Sequence, residues 1–170
     1  MVLFYKSLLL LTIIINNIVP NFSYVTNANF VIYSEQKMFN EILETHRLPC
    51  HLQTARVKSF ESSLQKMKKS NINNVYDLHD LIGFRFVFYT KDDLLKFYHH
   101  VKLEKTLVHT KNYIREPKEN GYAAMHLRYL NDYKECPIKL LECQLYIIND
   151  YYNALYGNAR RKDKNYTLYF

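Results

Sequence analysis

A chain of 170 residues, 48% of them hydrophobic, has enough apolar surface to close one domain around a real core. Lys and Arg number 23 against 16 Asp and Glu, a formal charge of +7, which suits polyanionic partners such as nucleotides, nucleic acid or anionic lipid without choosing among them. Three cysteines, Cys50, Cys136 and Cys143, with no CxxC pair, argue against a disulfide scaffold and a zinc cluster.

The chain opens with a single positive charge, Lys6, then the apolar run Leu8–Ile15, Asn16-Asn17 and Pro20. This is the order of a secretory signal peptide, and the run is well short of the ~20 apolar residues a bilayer-spanning helix requires. Residues 1–28 are therefore expected to be a targeting segment with no stable membrane anchor, cleaved after Ala28, leading into the secretory route and onward to a plastid if the source organism has one. Residues 29–54 form a helical lead-in: Ser34 and Glu35 have the pattern of an N-cap and acidic first turn, and Met38, Phe39, Ile42 and Leu43 recur at helical spacing, so a helix is expected to end near Arg47, before Pro49.

A second helix is expected over Ser59–Lys69, with Phe60, Ser63, Leu64 and Met67 on one face, followed by a polar turn at Asn71–Asn74. The aromatic and β-branched run Leu81–Tyr89 reads as a central strand. Helical periodicity returns over Asp92–Lys102. A strand is expected over Glu104–Thr110, a loop marked by Pro117 and Gly121 over Asn112–Gly121, and strands over Tyr122–Leu130 and Pro137–Ile147. In the last of these, alternation puts Leu141, Cys143, Leu145 and Ile147 on one face and Glu142, Gln144 and Tyr146 on the other. A final helix from Asn149 to about Arg160 closes the domain. Helices and strands interspersed in this irregular order favour an α+β fold, a mixed β-sheet flanked by helices, over a doubly wound one.

Four islands could carry chemistry. Asp80 and Glu142 each begin or interrupt an apolar strand, where a carboxylate is costly unless it is paired with a cation or binds a hard metal together with phosphate oxygens; spacing leaves both readings open. Arg56, Lys58, Lys66 and Lys118 could cradle a triphosphate or could be solvated basic faces. Tyr122, directly after Gly121, could offer its ring to a purine or lie in the core, and His126, four residues on and so on the same face of a strand, could bond a phosphate or a sheet neighbour. The pair His79-Asp80 opens a strand, which speaks against a helical HD-type hydrolase.

The order of these islands resembles the synthetase domain of RelA/SpoT-type alarmone synthetases. The resemblance lies in Arg56-Val57-Lys58 with Ser62, in Asp80-Leu81-Ile82-Gly83-Phe84-Arg85, and in Asn112-Tyr113-Ile114 through Pro117-Lys118-Glu119-Asn120-Gly121-Tyr122 with His126. It continues in Glu142-Cys143-Gln144 and Ala154-Leu155-Tyr156-Gly157. It implies a nucleotidyltransferase-like domain over residues 55–162, a tail at 163–170, and a small stand-alone or truncated enzyme that transfers pyrophosphate from ATP to the 3′-hydroxyl of GDP or GTP. It further implies that Asp80 and Glu142 are catalytic and hold Mg²⁺, and that Arg56, Lys58, Ser62 and Lys66 line the ATP side. Lys118, Asn120, Tyr122, His126 and Gln144 would then face the GDP or GTP acceptor. Nucleic acid is not an expected partner, and a homo-oligomer is compatible with the pattern. Ala55, Ala123, Ala124, Leu127 and Tyr146 depart from the family's usual residues, Tyr146 standing where an Arg is usual. The alternative is therefore a catalytically weakened guanine-nucleotide-binding module of the same fold.

Overall fold

The computed structural model describes residues 20–134 and 136–166, with side chains from Ala28 to Gly157 apart from Glu135. The apolar run Leu8–Ile15 and residues 167–170 lie outside the described residues. Helix α1 (Pro20–Thr45) leads into β1 (Cys50–Val57), α2 (Phe60–Ser70), a 3₁₀ turn (Val75–Asp77), β2 (Ile82–Phe88) and α3 (Lys91–Glu104). Strands β3 (Leu107–Asn112), β4 (Met125–Leu130) and β5 (Leu140–Ile147) follow, and α4 (Ile148–Tyr166) is the last of the described elements. The strands form one sheet in the order β1-β2-β5-β4-β3. Only β2 and β5 run parallel; the other neighbours are antiparallel. The α+β expectation and the mixed sheet hold.

Local chemistry sets the helix ends. Ser59 caps α2 by accepting from the Ser62 N–H, Asn71 closes it in the left-handed region at φ 51°, and Thr90 caps α3 by accepting from the Asp93 N–H. Helix α1 stops in a Schellman turn, the Leu48 N–H reaching the Leu43 carbonyl at 2.9 Å with Arg47 at φ 50°.

The sheet has two unlike faces. On one, Phe84, Phe86 and Phe88 of β2 and Leu141, Cys143 and Leu145 of β5 meet Phe39 of α1 and Leu94, Phe97 and Val101 of α3 in the main core. Phe39 is its hub, with ring centroids 4.9 Å from Phe86 and 5.2 Å from Phe84, both edge-on. On the other face a smaller apolar cluster of Val87, Ala124 and Tyr146, with Leu52, Tyr122, Tyr151 and Ala154 packed on it, lies under the first turns of α4. The rest of that face is polar.

Several expectations need correction. Ser34 and Glu35 do not cap a helix, because α1 already runs from Pro20. Glu35 is fully buried and its Oε1 accepts from the Lys105 ammonium at 2.7 Å, which offsets the cost of burying the acid. Ala28, the expected last residue of a removed segment, is not among these corrections; in the uncleaved chain it lies in α1 and is buried. Strand β1 was not anticipated, since Cys50–Val57 lacks regular alternation; as an edge strand it is half exposed and irregular between Cys50 and Leu52. Strand β4 starts at Met125 rather than Tyr122, strand β5 at Leu140 rather than Pro137, and α4 continues to Tyr166. Among the described residues no helix is long and apolar enough to cross a membrane.

Candidate active site

Register gathers the polar face into rows. Arg56, Gly83, Glu142 and Arg128 lie side by side on β1, β2, β5 and β4; Thr54, Arg85, Gln144, His126 and Lys111 form the next row, extended by β3. Period-two alternation is the cause: every second residue of a strand leaves the core for this face. Asp80 stands just ahead of β2, at the same end of the sheet as Gly83. Thr54, Arg56, Asp80, Gly83, Arg85, Glu142 and Gln144 line a cavity of about 60 Å³, so both carboxylates singled out from the sequence open onto one space.

Each carboxylate is also paired with cations. Asp80 Oδ2 receives Lys58 Nζ at 2.8 Å and Lys66 Nζ at 2.6 Å. Burial alone would raise the Asp80 pKa; hydrogen bonds and charge from Lys58 and Lys66 outweigh it and hold the carboxyl below its usual value. Its other oxygen, Oδ1, is buried with no hydrogen-bond partner. Glu142 is buried, and Oε2 accepts from Arg128 Nε at 3.3 Å while Oε1 accepts from Gln144 Nε2 at 2.8 Å. Among the described residues no group of three or more His, Cys, Asp and Glu is arranged to hold a metal. Two carboxylates fit Mg²⁺ nonetheless, since that ion keeps most of its ligands as water and phosphate oxygens, and the unpartnered Asp80 Oδ1 is a hard donor lacking a cation.

The acceptor-side candidates form a second group. The Asn112 side chain accepts from the Ile114 and Arg115 N–H groups, Gly121 turns at φ 74°, and Asn120 Oδ1 accepts from the Tyr122 N–H at 3.2 Å. Asn120 thus shapes the turn that presents Tyr122. The Tyr122 hydroxyl meets His126 Nε2 at 2.6 Å and the Tyr146 hydroxyl at 2.8 Å; because Tyr122 lies ahead of β4, the two side chains meet from loop to strand and not along one strand face as expected. Lys118 Nζ sits 4.9 Å from the Tyr122 ring centroid and 4.5 Å from that of Tyr113, a cation between two aromatic rings. Asn120, Gly121, Tyr122, Asn153, Ala154 and Gly157 line a cavity of about 220 Å³ between this loop and α4. Burial pushes the Tyr122 phenol up, with Tyr146 adding to the shift. Burial also lowers His126, against the pull of Glu142.

Not all expected residues converge equally. Ser62 is exposed in the first turn of α2, where its hydroxyl meets that of Ser59 at 3.0 Å. Lys66, one turn on, reaches Asp80. Sequence reasoning missed Arg128 and gave no site role to Arg85, which it quoted within a motif, or to Tyr146, which it placed on the face of Glu142 and Gln144. Arg85 lies in the 60 Å³ cavity with its Nε buried and unpartnered, its guanidinium 5.6 Å from the rings of both Tyr146 and Tyr151. Counting by twos from Gly83 and from His126 would have placed both arginines on the site face.

A five-stranded mixed sheet with one polar face carrying two carboxylates and several cations defines the class as an α+β domain with a charged site on one sheet face. Residues 55–164 match the family described as "Region found in RelA / SpoT proteins", and the chain belongs to that family. Solved structures agree on the fold. A GTP pyrophosphokinase family protein from Streptococcus pneumoniae is 20% identical, with a TM-score of 0.74 over 85% of this chain and 78% of that one. The small alarmone synthetase 1 from Bacillus subtilis bound to its product pppGpp is 25% identical, with a TM-score of 0.64 over 76% and 73%. The same synthetase bound to AMPCPP is 17% identical, with a TM-score of 0.65 over 84% and 79%. No curated protein matches the chain.

Proposed function

We propose that the protein is a Mg²⁺-dependent diphosphotransferase that moves pyrophosphate from ATP to the 3′-hydroxyl of GDP or GTP. The observation that carries this reading is the one cavity that Asp80 and Glu142 line together with Arg56 and Arg85, while the Tyr122 loop lines a second cavity. The family supports it, as do the pppGpp and AMPCPP held by the B. subtilis synthetase.

Phosphoryl transfer asks a protein mainly for positioning and charge. Arg56 and Arg85 offer forked donors to the ATP phosphates, and Lys58 and Lys66, already beside Asp80, can be shared with them as they enter. Asp80 and Glu142 would hold Mg²⁺, which when bound would draw charge from the phosphate oxygens. Tyr122 stacks on the guanine, Asn120 sets the loop, and Lys118, His126 and Gln144 face the acceptor. Glu142 takes the 3′-hydroxyl proton at Oε2, whose contact with Arg128 is the longer of its two hydrogen bonds. The 3′-oxygen then bonds to the β-phosphorus of ATP as the bond from that phosphorus to the α,β-bridging oxygen breaks, and AMP leaves with that oxygen.

The second reading, a binding module, draws on Ala123 and Ala124, both buried beside Tyr122 where no polar group reaches an acceptor. Incubation of the purified chain with labelled ATP, Mg²⁺ and GDP or GTP separates the two. Labelled guanosine product with AMP is expected; nucleotide binding without product gives the module instead.

A further inference from the structure

We propose that Tyr146 is a positioning residue that locks the acceptor-facing ring of Tyr122 to the carboxylate of Glu142, a role that rests on the function assigned to the site above. Four hydrogen bonds link five side chains on the polar face, and the two ends of the series approach each other. His126 Nε2 meets the Tyr122 hydroxyl at 2.6 Å, the Tyr122 hydroxyl meets that of Tyr146 at 2.8 Å, and Tyr146 donates to Gln144 Oε1 at 3.2 Å. Gln144 Nε2 donates to Glu142 Oε1 at 2.8 Å, and the same oxygen lies 3.7 Å from His126 Nδ1.

Donor accounting, starting from Tyr146 as donor to Gln144, sets the direction of the four hydrogen bonds; the 3.7 Å approach of His126 Nδ1 to Glu142 is not one of them. A carboxylate only accepts, so the Gln144 amide nitrogen must face Glu142 and its carbonyl oxygen must face Tyr146. Tyr146 has one proton and gives it to that oxygen; its own oxygen therefore accepts from Tyr122. The Tyr122 oxygen must then accept from His126 Nε2–H. Take away the Tyr146 hydroxyl and the Tyr122 proton is released to turn toward His126, which reverses the bond and drives the imidazole proton to Nδ1.

The Tyr146 ring itself is held separately. It is buried, packed against Val87 and Ala124, and lies 5.6 Å from the Arg85 guanidinium. Tyr146→Phe keeps that packing and removes only the hydroxyl. The consequence for the reaction follows from the acceptor's own shape. Its base meets Tyr122 and its ribose 3′-hydroxyl meets Glu142, so a rigid link between these two side chains fixes where the nucleophile sits relative to the carboxylate. Misplacement at the reacting centre costs rate before it costs affinity.

Two measurements on the full chain test this. Turnover of GDP with ATP is expected to fall about 10- to 100-fold in kcat for Tyr146→Phe, with the KM for ATP within about twofold and the melting temperature near wild type. Tyr122→Phe is expected to lose as much, and the double variant no more than either single one, because both break the same link. Independently of activity, the ring ¹⁵N resonances of His126 are expected to show a proton on Nε2 in the wild type and on Nδ1 in Tyr146→Phe. Wild-type kcat in Tyr146→Phe, additive losses in the double variant, or unchanged His126 resonances would overturn the proposal. A wild-type chain without turnover refutes the assigned function alone, since the resonances still decide whether Tyr146 orders the network.

Discussion

Because the Tyr122 hydroxyl is held between His126 and Tyr146, the Tyr122 side chain has two separable parts: a ring beside the 220 Å³ cavity and a hydroxyl inside a polar network. Base stacking on an aromatic ring is worth about 1–3 kcal/mol, so Tyr122→Ala is expected to weaken GDP and GTP binding by about 5- to 150-fold and to leave ATP binding nearly unchanged. Calorimetric titration of each nucleotide checks this, and equal losses for all three would remove the specific acceptor site. Tyr122→Phe keeps the stacking surface; its GDP affinity should stay near wild type while turnover falls. Lys118 acts at longer range than either part. Poised between Tyr113 and Tyr122, it attracts phosphate by charge, and the loss of affinity in Lys118→Ala should shrink as salt is raised, since screening has already weakened what it removes.

Strand β2 was legible from its apolar run and β5 from its alternation, but it was the resemblance that joined Asp80, Glu142 and Gln144 in one site, because spacing alone left each carboxylate open between an ion pair and a metal. Strand β1 was not legible, because an edge strand buries little and its sequence shows no regular period. The continuity of α1 was hidden for another reason: Glu35 looks like a surface acid until Lys105, 70 residues away, is seen to neutralise it. Arg85 was obscured by the phenylalanines on either side of it, which belong to the opposite face, whereas alternation alone put Tyr146 beside Gln144 without revealing its bond to Tyr122. The Glu35–Lys105 pair, with Asp132 as a second partner of Lys105 at 2.7 Å, ties α1 to the connections flanking β3 and β4. Burial alone would lower the Lys105 pKa, but hydrogen bonds to Asp132 and Glu35 outweigh it and raise it. Lys105→Met would strand a fully buried carboxylate, at a cost of about 3–5 kcal/mol. Denaturant unfolding measures it; a loss below about 1 kcal/mol would mean that α1 is held by its apolar contacts alone.

At the scale of the molecule, Tyr122, Tyr129 and Tyr146 share one electrostatic consequence. Burial is the first cause that pushes each phenol above its ordinary value of 10.0. A phenol whose pKa is higher in the folded chain keeps its proton longer there, so its contribution to stability is full below about pH 10 and is lost as pH rises through the folded value. The urea midpoint is expected to hold near pH 8 and to fall steadily toward pH 11; a flat profile would contradict the burial of these hydroxyls. The apolar run Leu8–Ile15 is proposed to direct the chain into the secretory system, and a reporter fused behind residues 1–28 should enter it, whereas a cytosolic reporter would count against the signal. N-terminal sequencing of the secreted reporter is expected to read from the residue after Ala28.

The central claim is that Asp80 and Glu142 serve one reaction centre in which the acceptor's 3′-oxygen attacks ATP. Quantifying both products from ATP, Mg²⁺ and GDP by mass spectrometry tests it most directly. The account predicts AMP and a guanosine carrying a 3′-diphosphate in equal amounts, with both products falling together by about 100-fold or more in Asp80→Asn and in Glu142→Gln while the fold is retained. AMP formed without the guanosine product, or full turnover in either variant, would contradict it.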